Sequence, residues 1–177
     1  KSSFEQIIED DLMQNESNTL SHKALIEYWI IKGQHYSITN QYDLAAASFE
    51  SLLAVSEKNK AIKKQRNIAF LSVAAQLTTY GYILQNATMM EKAINYIQSA
   101  ETYSEIERIA ADTFLVNSNL AYFDFIKNKE GLKDTLRDTH ILLKEKINKL
   151  KHDVASALII ACVSGYAEFG EYDIVLE

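Results

Sequence analysis

The sequence predicts an all-α fold in which antiparallel helix pairs stack one after another. The chain has 177 residues with no proline and five glycines, where average usage would supply about nine prolines and twelve glycines. Because proline breaks helices and glycine serves the tight turns of β-rich folds, this composition favours long helices with short connections. Apolar residues also recur at steps of three and four almost everywhere, as on the buried face of a helix. An internal repeat predicts the stacking.

Each helix is predicted from the spacing of its own apolar residues. Phe4, Ile7, Ile8 and Leu12 form one stripe of an opening helix at residues 4–14, and the polar residues 15–19 end it. The same spacing predicts helices at residues 20–39, 42–57, 61–85, 89–103, 104–128, 131–150 and 152–169, and a ninth that begins at Tyr172.

No linker rich in proline, glycine or serine separates these helices, so the sequence predicts one domain over residues 1–177. This domain consists of a leading helix at residues 1–19 and four helix pairs, the last incomplete, at residues 20–59, 61–103, 105–150 and 152–177. An incomplete pair exposes the apolar side of its last helix. We therefore expect either further residues beyond Glu177 or a contact of this edge with another chain.

Charge and composition exclude several classes of protein. Eighteen Lys and Arg stand against 24 Asp and Glu, which gives a formal charge of −6, and 47% of the residues are hydrophobic. These values exclude a disordered chain and a basic nucleic-acid-binding domain. The longest apolar runs, such as residues 155–163, are too short to cross a bilayer. With a single cysteine and no visible secretory signal, we expect a cytoplasmic protein that binds neither membranes nor nucleic acid directly.

A repeated motif marks the second and third predicted helices. Trp29, Gly33 and Tyr36 are followed by Ala45 and Phe49, and the small residues stand where two antiparallel helices would cross closely. This pattern resembles the tetratricopeptide repeat (TPR), a helix–turn–helix unit that stacks into a right-handed α-solenoid. The resemblance implies that the whole chain is a TPR-like scaffold.

Three further copies extend the resemblance along the chain. The positions equivalent to Gly33 are Gly81, Leu120 and Val163. They follow one another at intervals of 48, 39 and 43 residues, whereas the family repeats about every 34 residues. The copies are therefore degenerate. The second copy retains the spacing best. The copies comprise Leu77, Gly81, Leu84, Met90, Ala93, Ile97 and Ala100; Val116, Leu120, Phe123, Leu132 and Leu136; and Ile159, Val163, Tyr166, Gly170, Tyr172 and Val175.

Candidate catalytic groups do not converge in the sequence. The four histidines form neither an H-E-x-x-H motif nor a Glu-x-x-His pair, and there is no glycine-rich phosphate loop. Cys162 lies in an apolar run, so we expect a buried structural thiol rather than a nucleophile. Glu130, Asp134 and Asp138 share one helix face, which we interpret as solvated rather than as a cation site. The sequence therefore predicts no enzyme, no cofactor and no metal site.

Basic residues gather near two helix ends. Since cations near a helix C-terminus interact favourably with its dipole, the clusters need no ligand, although a site for phosphate or acidic groups stays open as an alternative. They comprise Lys58, Lys60, Lys63, Lys64 and Arg66, and Lys144, Lys146, Lys149 and Lys151.

The TPR resemblance implies a binding wall. In that family the first helix of each pair lines a concave surface, and the corresponding residues here are neutral where some relatives carry a cationic clamp for carboxylates. Amide side chains both donate and accept, so they can satisfy the main chain of a peptide or a partner segment. The implied partner-binding residues are Ile30, Gln34, Thr78, Tyr82, Gln85, Asn86, Asn117, Asp124 and Phe125.

Two biological contexts are open alternatives for such a scaffold. One is the regulatory domain of a bacterial peptide-pheromone-responsive transcriptional regulator, whose lengthened TPR-like pairs hold short peptides. The other is the helical-repeat arm of a proteasome-lid-type or signalosome-type subunit, which residues 24–51 also resemble. Neither the DNA-binding domain of the first class nor the winged-helix domain of the second is recognisable in these 177 residues.

Overall fold

The structure, a computed structural model, describes residues 22–171 and 173, and this part of the chain is all-helical, as predicted. The predicted leading helix at residues 4–14 and the predicted ninth helix from Tyr172 lie outside the described residues. Seven α-helices and one 3-10 turn at Ile147–Lys149 make up the described part, with no strand. The helices are α1 (His22–Ile38), α2 (Tyr42–Lys58), α3 (Lys60–Ile83), α4 (Ala87–Ser99), α5 (Glu105–Phe125), α6 (Lys129–Lys146) and α7 (His152–Glu168).

The odd-numbered helices α1, α3, α5 and α7 end in the same turn. In each turn an N–H bonds the carbonyl five residues earlier, with N–O distances of 2.9, 2.7, 2.9 and 2.9 Å, as in a Schellman motif. One residue of each turn has a positive φ, and only the last of the four is a glycine: Asn40, Gln85, Lys127 and Gly170. The turns recur at similar intervals, so each of these four helices ends in the same way.

Side-chain caps begin several of the helices, whereas α2 and α7 begin without one. Asn86 caps α4 and Asn128 caps α6, each accepting a hydrogen bond from the backbone N–H three residues on, at 3.0 Å. Ser104 caps α5 in the same way, at 3.2 Å. Such caps satisfy N–H groups that a helix leaves unpaired at its start. They keep the connections short without proline or glycine.

Side-chain contacts define the direction of alternate helices. Ser37 of α1 hydrogen-bonds Tyr80 of α3 at 2.6 Å, and Glu27 of α1 forms an ion pair with Arg66 of α3. The earlier residue of α1 therefore meets the earlier residue of α3, and the later residue meets the later one. This order shows that α1 and α3 run in the same direction. Thr78 bonds Ser118 at 3.1 Å and Tyr82 bonds Asp124 at 3.3 Å, so α5 runs parallel to α3 as well.

The largest hydrophobic core lies among α1 to α4. Phe49 and Phe70 are fully buried there, together with Ile26, Leu52 and Leu71. Trp29 and Tyr36, which the motif places in the gaps between helix pairs, are half-buried and pack against this core. Two smaller clusters join α5, α6 and α7; they consist of Val116, Leu142 and Leu158, and of Leu136, Cys162 and Tyr166.

Close helix crossings occur at glycines. A Cβ added at Gly33 would lie 2.4 Å from the ring of Phe49, and one at Gly81 would lie 2.5 Å from Met90. These contacts agree with the close approach expected for the first two copies of the motif.

The crossings in the second half of the chain use other glycines than the motif positions. A Cβ at Gly131 would lie 2.7 Å from Phe123, and one at Gly165 would lie 2.6 Å from Leu136. Leu120 is half-buried and Val163 is 42% exposed. In the third and fourth copies the motif spacing therefore predicts the wrong position for the crossing. The glycine at the crossing is Gly131 on α6 in the third copy and Gly165, two residues after Val163 on α7, in the fourth.

Candidate partner-binding surface

The open face of α3 can be located from its contacts. Tyr80 points to α1, Thr78 points to α5, and Gly81 meets Met90 of α4. The remaining direction faces solvent, and the residues on it follow one another at steps of three and four. These residues are Ile68, Ser72, Gln76, Thr79 and Ile83, all exposed except half-buried Ser72. None carries a charge, so the central helix presents a neutral surface of amides, hydroxyls and isoleucines.

Three amide side chains fall at similar heights on neighbouring helices. Gln76 precedes Thr78 by two residues and Asn117 precedes its bonding partner Ser118 by one. Gln34 lies three residues before Ser37 of α1, whose own partner is Tyr80. Gln34, Gln76 and Asn117 are all exposed, and we call them the amide row. Because α1, α3 and α5 run parallel, the row crosses the three helices.

Several sequence-predicted site residues lie on or beside this surface. Gln34 and Asn117 belong to the amide row. Tyr82, Asp124 and Phe125 come together where α3 and α5 end, since the Tyr82 hydroxyl donates to the Asp124 carboxylate and the Tyr82 ring lies edge-on to Phe125, with centroids 5.7 Å apart. Lys127 also pairs with Asp124 at 3.2 Å, so this carboxylate has a cationic partner within the chain.

The other predicted site residues serve the fold in the structure. Thr78 is 2% exposed, and its hydroxyl joins α3 to α5 through Ser118. Ile30 is half-buried and packs against the core. Asn86 caps α4, while Gln85 lies in the preceding turn and its amide donates to the Tyr82 carbonyl at 2.9 Å. A ligand that meets the helix faces would therefore not meet Thr78.

Gln76 belongs to the surface but is not among the sequence-predicted residues. The motif counts positions from Gly81, and this count places the wall on Thr78 and Tyr82. The signal that identifies Gln76 is the helical spacing of the uncharged residues from Ile68 to Ile83, which excludes Thr78 from the exposed stripe. A buried threonine cannot be told from an exposed one in the sequence. The hydrogen bond from Thr78 to Ser118 shows that Thr78 lies on the face that packs against α5.

Some residues of the basic clusters form ion pairs within the chain. Lys63 pairs with Glu57 at 2.8 Å, Arg66 pairs with Glu27, and Lys149 pairs with Glu105. Contact with the Lys149 ammonium lowers the pKa of the Glu105 carboxyl. Within the described residues no group of three or more His, Cys, Asp or Glu side chains is arranged to hold a metal ion.

Cys162 is buried, and its thiol lies 3.9 Å from the Leu136 carbonyl oxygen. Burial raises the pKa of this thiol from 9.0 to about 11. At pH 8 this rise in pKa lowers the fraction of thiolate by about 100-fold. Because the thiolate is the reactive form of cysteine, Cys162 should react slowly in the folded chain. We expect iodoacetamide to label the folded chain at least about tenfold more slowly than the chain unfolded in urea. Equal labelling rates, measured by mass spectrometry, would contradict a buried thiol.

No protein-family model matches this chain, and no curated protein or solved structure matches it either. The resemblance to the TPR family therefore stays a prediction from the sequence. None of the helices within residues 22–171 is both long and apolar enough to span a lipid bilayer.

Proposed function

We propose that this chain is a non-enzymatic scaffold, a TPR-like right-handed α-solenoid that binds a peptide or a segment of a partner protein along α1, α3 and α5. Three observations support the stacking of helix pairs. The odd-numbered helices end in the same turn, α1, α3 and α5 run parallel, and glycines bring neighbouring helices close together. A stacked array of this kind presents an extended surface for partners.

The observation that carries the binding function is the amide row across the neutral face. A carboxamide offers donors and an acceptor together, which matches the alternating N–H and C=O groups of a peptide backbone. The exposed Ile68 and Ile83 of α3 supply apolar contacts on either side of Gln76. Because α3 carries no charge on this face, the expected ligand is a largely uncharged segment rather than an acidic tail.

Removing two members of the row tests the proposal. A library of random peptides about ten residues long is screened against the chain, and the selected peptide is titrated by calorimetry. Replacing Gln76 and Asn117 by alanine should weaken its binding by about 1–3 kcal/mol, because the peptide backbone then loses hydrogen bonds to both side chains. That range corresponds to a Kd about 5- to 150-fold higher.

A matched control uses amides on another helix. Asn95 and Gln98 are exposed on α4, so Asn95→Ala with Gln98→Ala removes two amides without touching the row. The control should bind the peptide as the unaltered chain does. Equal affinities for both double variants would remove the amide row from the binding site. Selection of a short free peptide from the library would favour the regulator context. Co-purification of the chain with large assemblies would favour the complex-subunit context.

A further inference from the structure

A cleft of about 300 Å³ lies between α4 and α5. The two helices run in opposite directions, because residues 100–104 connect them directly and Tyr122, near the end of α5, bonds Glu91, near the start of α4. A volume of this size is at the lower end of the range for small-ligand sites. The polar and aromatic residues that line the cleft are Glu91, Asn95 and Gln98 of α4 and Asn119, Tyr122 and Phe123 of α5.

The polar side chains follow one another along the length of the cleft. Glu91 and Tyr122 meet at one end. Asn95 is four residues after Glu91 and Asn119 is three residues before Tyr122, so in antiparallel helices the two asparagines lie at similar heights, about one turn further along. Gln98 lies at the other end, about 10 Å from Glu91 along α4. The cleft therefore has a carboxylate at one end and carboxamides along the rest.

The charge of the cleft is negative. Among the seven described residues that line it, Glu91 is the only one with a charge. The hydrogen bond to Glu91 raises the pKa of the Tyr122 phenol, so Tyr122 stays protonated and donates to the carboxylate. A carboxylate has about four acceptor sites, so one donor leaves it able to accept further hydrogen bonds. A cationic donor forms the strongest hydrogen bonds to such a group, whereas an anion is repelled.

We propose that this cleft binds the side chain of a lysine from a partner protein, with the ammonium group at the Glu91 end. An ammonium has three N–H donors and no acceptor. The acceptors available to it are the Glu91 carboxylate and, one turn further, the side-chain carbonyl oxygens of Asn95 and Asn119.

The carbon chain and the main chain of the lysine have contacts of their own. Its methylenes cover Ile94, which lines the cleft and is 7% exposed, and the half-buried Phe123 ring, as the stems of long cationic side chains do on apolar surfaces. Gln98 at the far end can both donate to and accept from the peptide groups of the lysine residue. A free amine has no such groups, which favours a side chain within a protein.

The cleft is independent of the proposed peptide site. Asn119 lines the cleft and Asn117 belongs to the amide row. Since they are two residues apart on α5, they point to nearly opposite sides of the helix. The ligand expected at the row is largely uncharged, whereas the cleft requires a cation. Either site can therefore fail without the other.

Titration followed by nuclear magnetic resonance tests the proposal. The probe, Nα-acetyl-lysine methylamide, is added to the ¹⁵N-labelled chain of 177 residues. It should shift the side-chain amide signals of Asn95, Gln98 and Asn119 and saturate with a Kd of about 1 mM, the affinity expected for a ligand of this size. The norleucine analogue lacks the ammonium group and should bind at least about tenfold more weakly.

Glu91→Gln removes the charge and keeps an oxygen that accepts from Tyr122. This variant should raise the Kd of the lysine probe at least about tenfold, because the ammonium loses its ionic partner. Glu50→Gln is the matched control, since Glu50 is exposed on α2 and the same charge is removed there. It should leave the Kd unchanged.

The two double variants of the peptide experiment give a second control. Asn95→Ala with Gln98→Ala should weaken binding of the lysine probe, whereas Gln76→Ala with Asn117→Ala should not. The order expected for the uncharged peptide is the reverse, so failure of the cleft and failure of the amide row can be told apart.

Three results would overturn the proposal. Equal affinities for the lysine and norleucine probes would show that the cleft does not recognise an ammonium group. An unchanged Kd in Glu91→Gln would place the cation elsewhere on the chain. Tighter binding of 1,5-diaminopentane than of the lysine probe would assign the cleft to free amines instead of a protein side chain.

Discussion

Replacing Phe49 by alanine is expected to lower the free energy of unfolding by about 3–5 kcal/mol. Phe49 is 1% exposed, and its ring stacks on that of Tyr80 with centroids 6.1 Å apart. The same ring covers Gly33. Since Phe49 belongs to α2, Tyr80 to α3 and Gly33 to α1, one side chain joins three helices. Its truncation leaves a cavity that the neighbouring helices cannot close without moving together.

Urea unfolding measures this loss with two probes. Circular dichroism follows all the helices, and the fluorescence of Trp29, the one tryptophan of the chain, follows the region around α1. Ile31→Ala is the control, because Ile31 is 51% exposed on α1 and should change the free energy of unfolding by at most about 0.5 kcal/mol. A loss below about 1 kcal/mol in the Phe49→Ala variant would mean that Phe49 does not hold α1, α2 and α3 together.

Gly33→Ala is expected to destabilise the chain by about 1–3 kcal/mol, even though alanine favours helices by about 1 kcal/mol over glycine. The reason is the 2.4 Å separation between a Cβ at this position and the Phe49 ring. A buried aromatic ring cannot turn aside as a flexible side-chain end can. Either α1 must move away from α2, or the ring must leave its stacked position on Tyr80.

A double-mutant cycle with Phe49→Leu isolates this contact. Leucine is smaller than phenylalanine, so the alanine methyl has room in the double variant and Gly33→Ala should cost at least about 1 kcal/mol less there. The four free energies of unfolding are measured in urea under one set of conditions. An equal cost of Gly33→Ala in both backgrounds would show that the glycine is needed for another reason.

The positions of the helices were largely predictable from the sequence. Predicted helices at residues 42–57 and 152–169 correspond to α2 and α7 within one residue at each end. The largest differences are at two helix ends. The helix α4 was predicted to end at Tyr103 and ends at Ser99, and α6 was predicted to end at Leu150 and ends at Lys146. Ala100 is extended, and the buried Asn67 amide donates to the Glu101 carbonyl at 2.9 Å. A long-range hydrogen bond of this kind leaves no local signal in residues 99–103.

The candidate site was predictable in its chemistry but only partly in its residues. The expectation of a neutral wall with amides agrees with the exposed residues of α3, and Gln34 and Asn117 are exposed as expected. The motif places Thr78 on the exposed face, but in the structure Thr78 is buried and Gln76 is exposed. The motif could not separate them, because a hydroxyl is compatible with either a buried or an exposed face. The left-handed turn residues Asn40, Gln85 and Lys127 were also not predictable, since none of them is a glycine.

The sequence by itself determined the all-α class, the number of helices in the described part and the neutral character of the surface, because helix periodicity and composition are local properties of the chain. The tertiary structure alone decided which face of each described helix is buried and which glycine makes each crossing. Those features depend on contacts between different helices, which join residues 8 positions apart, such as Phe123 with Gly131, as well as residues 40 positions apart, such as Thr78 with Ser118. The energy of such a contact depends on two residues in different helices, so the local pattern around either residue does not predict it.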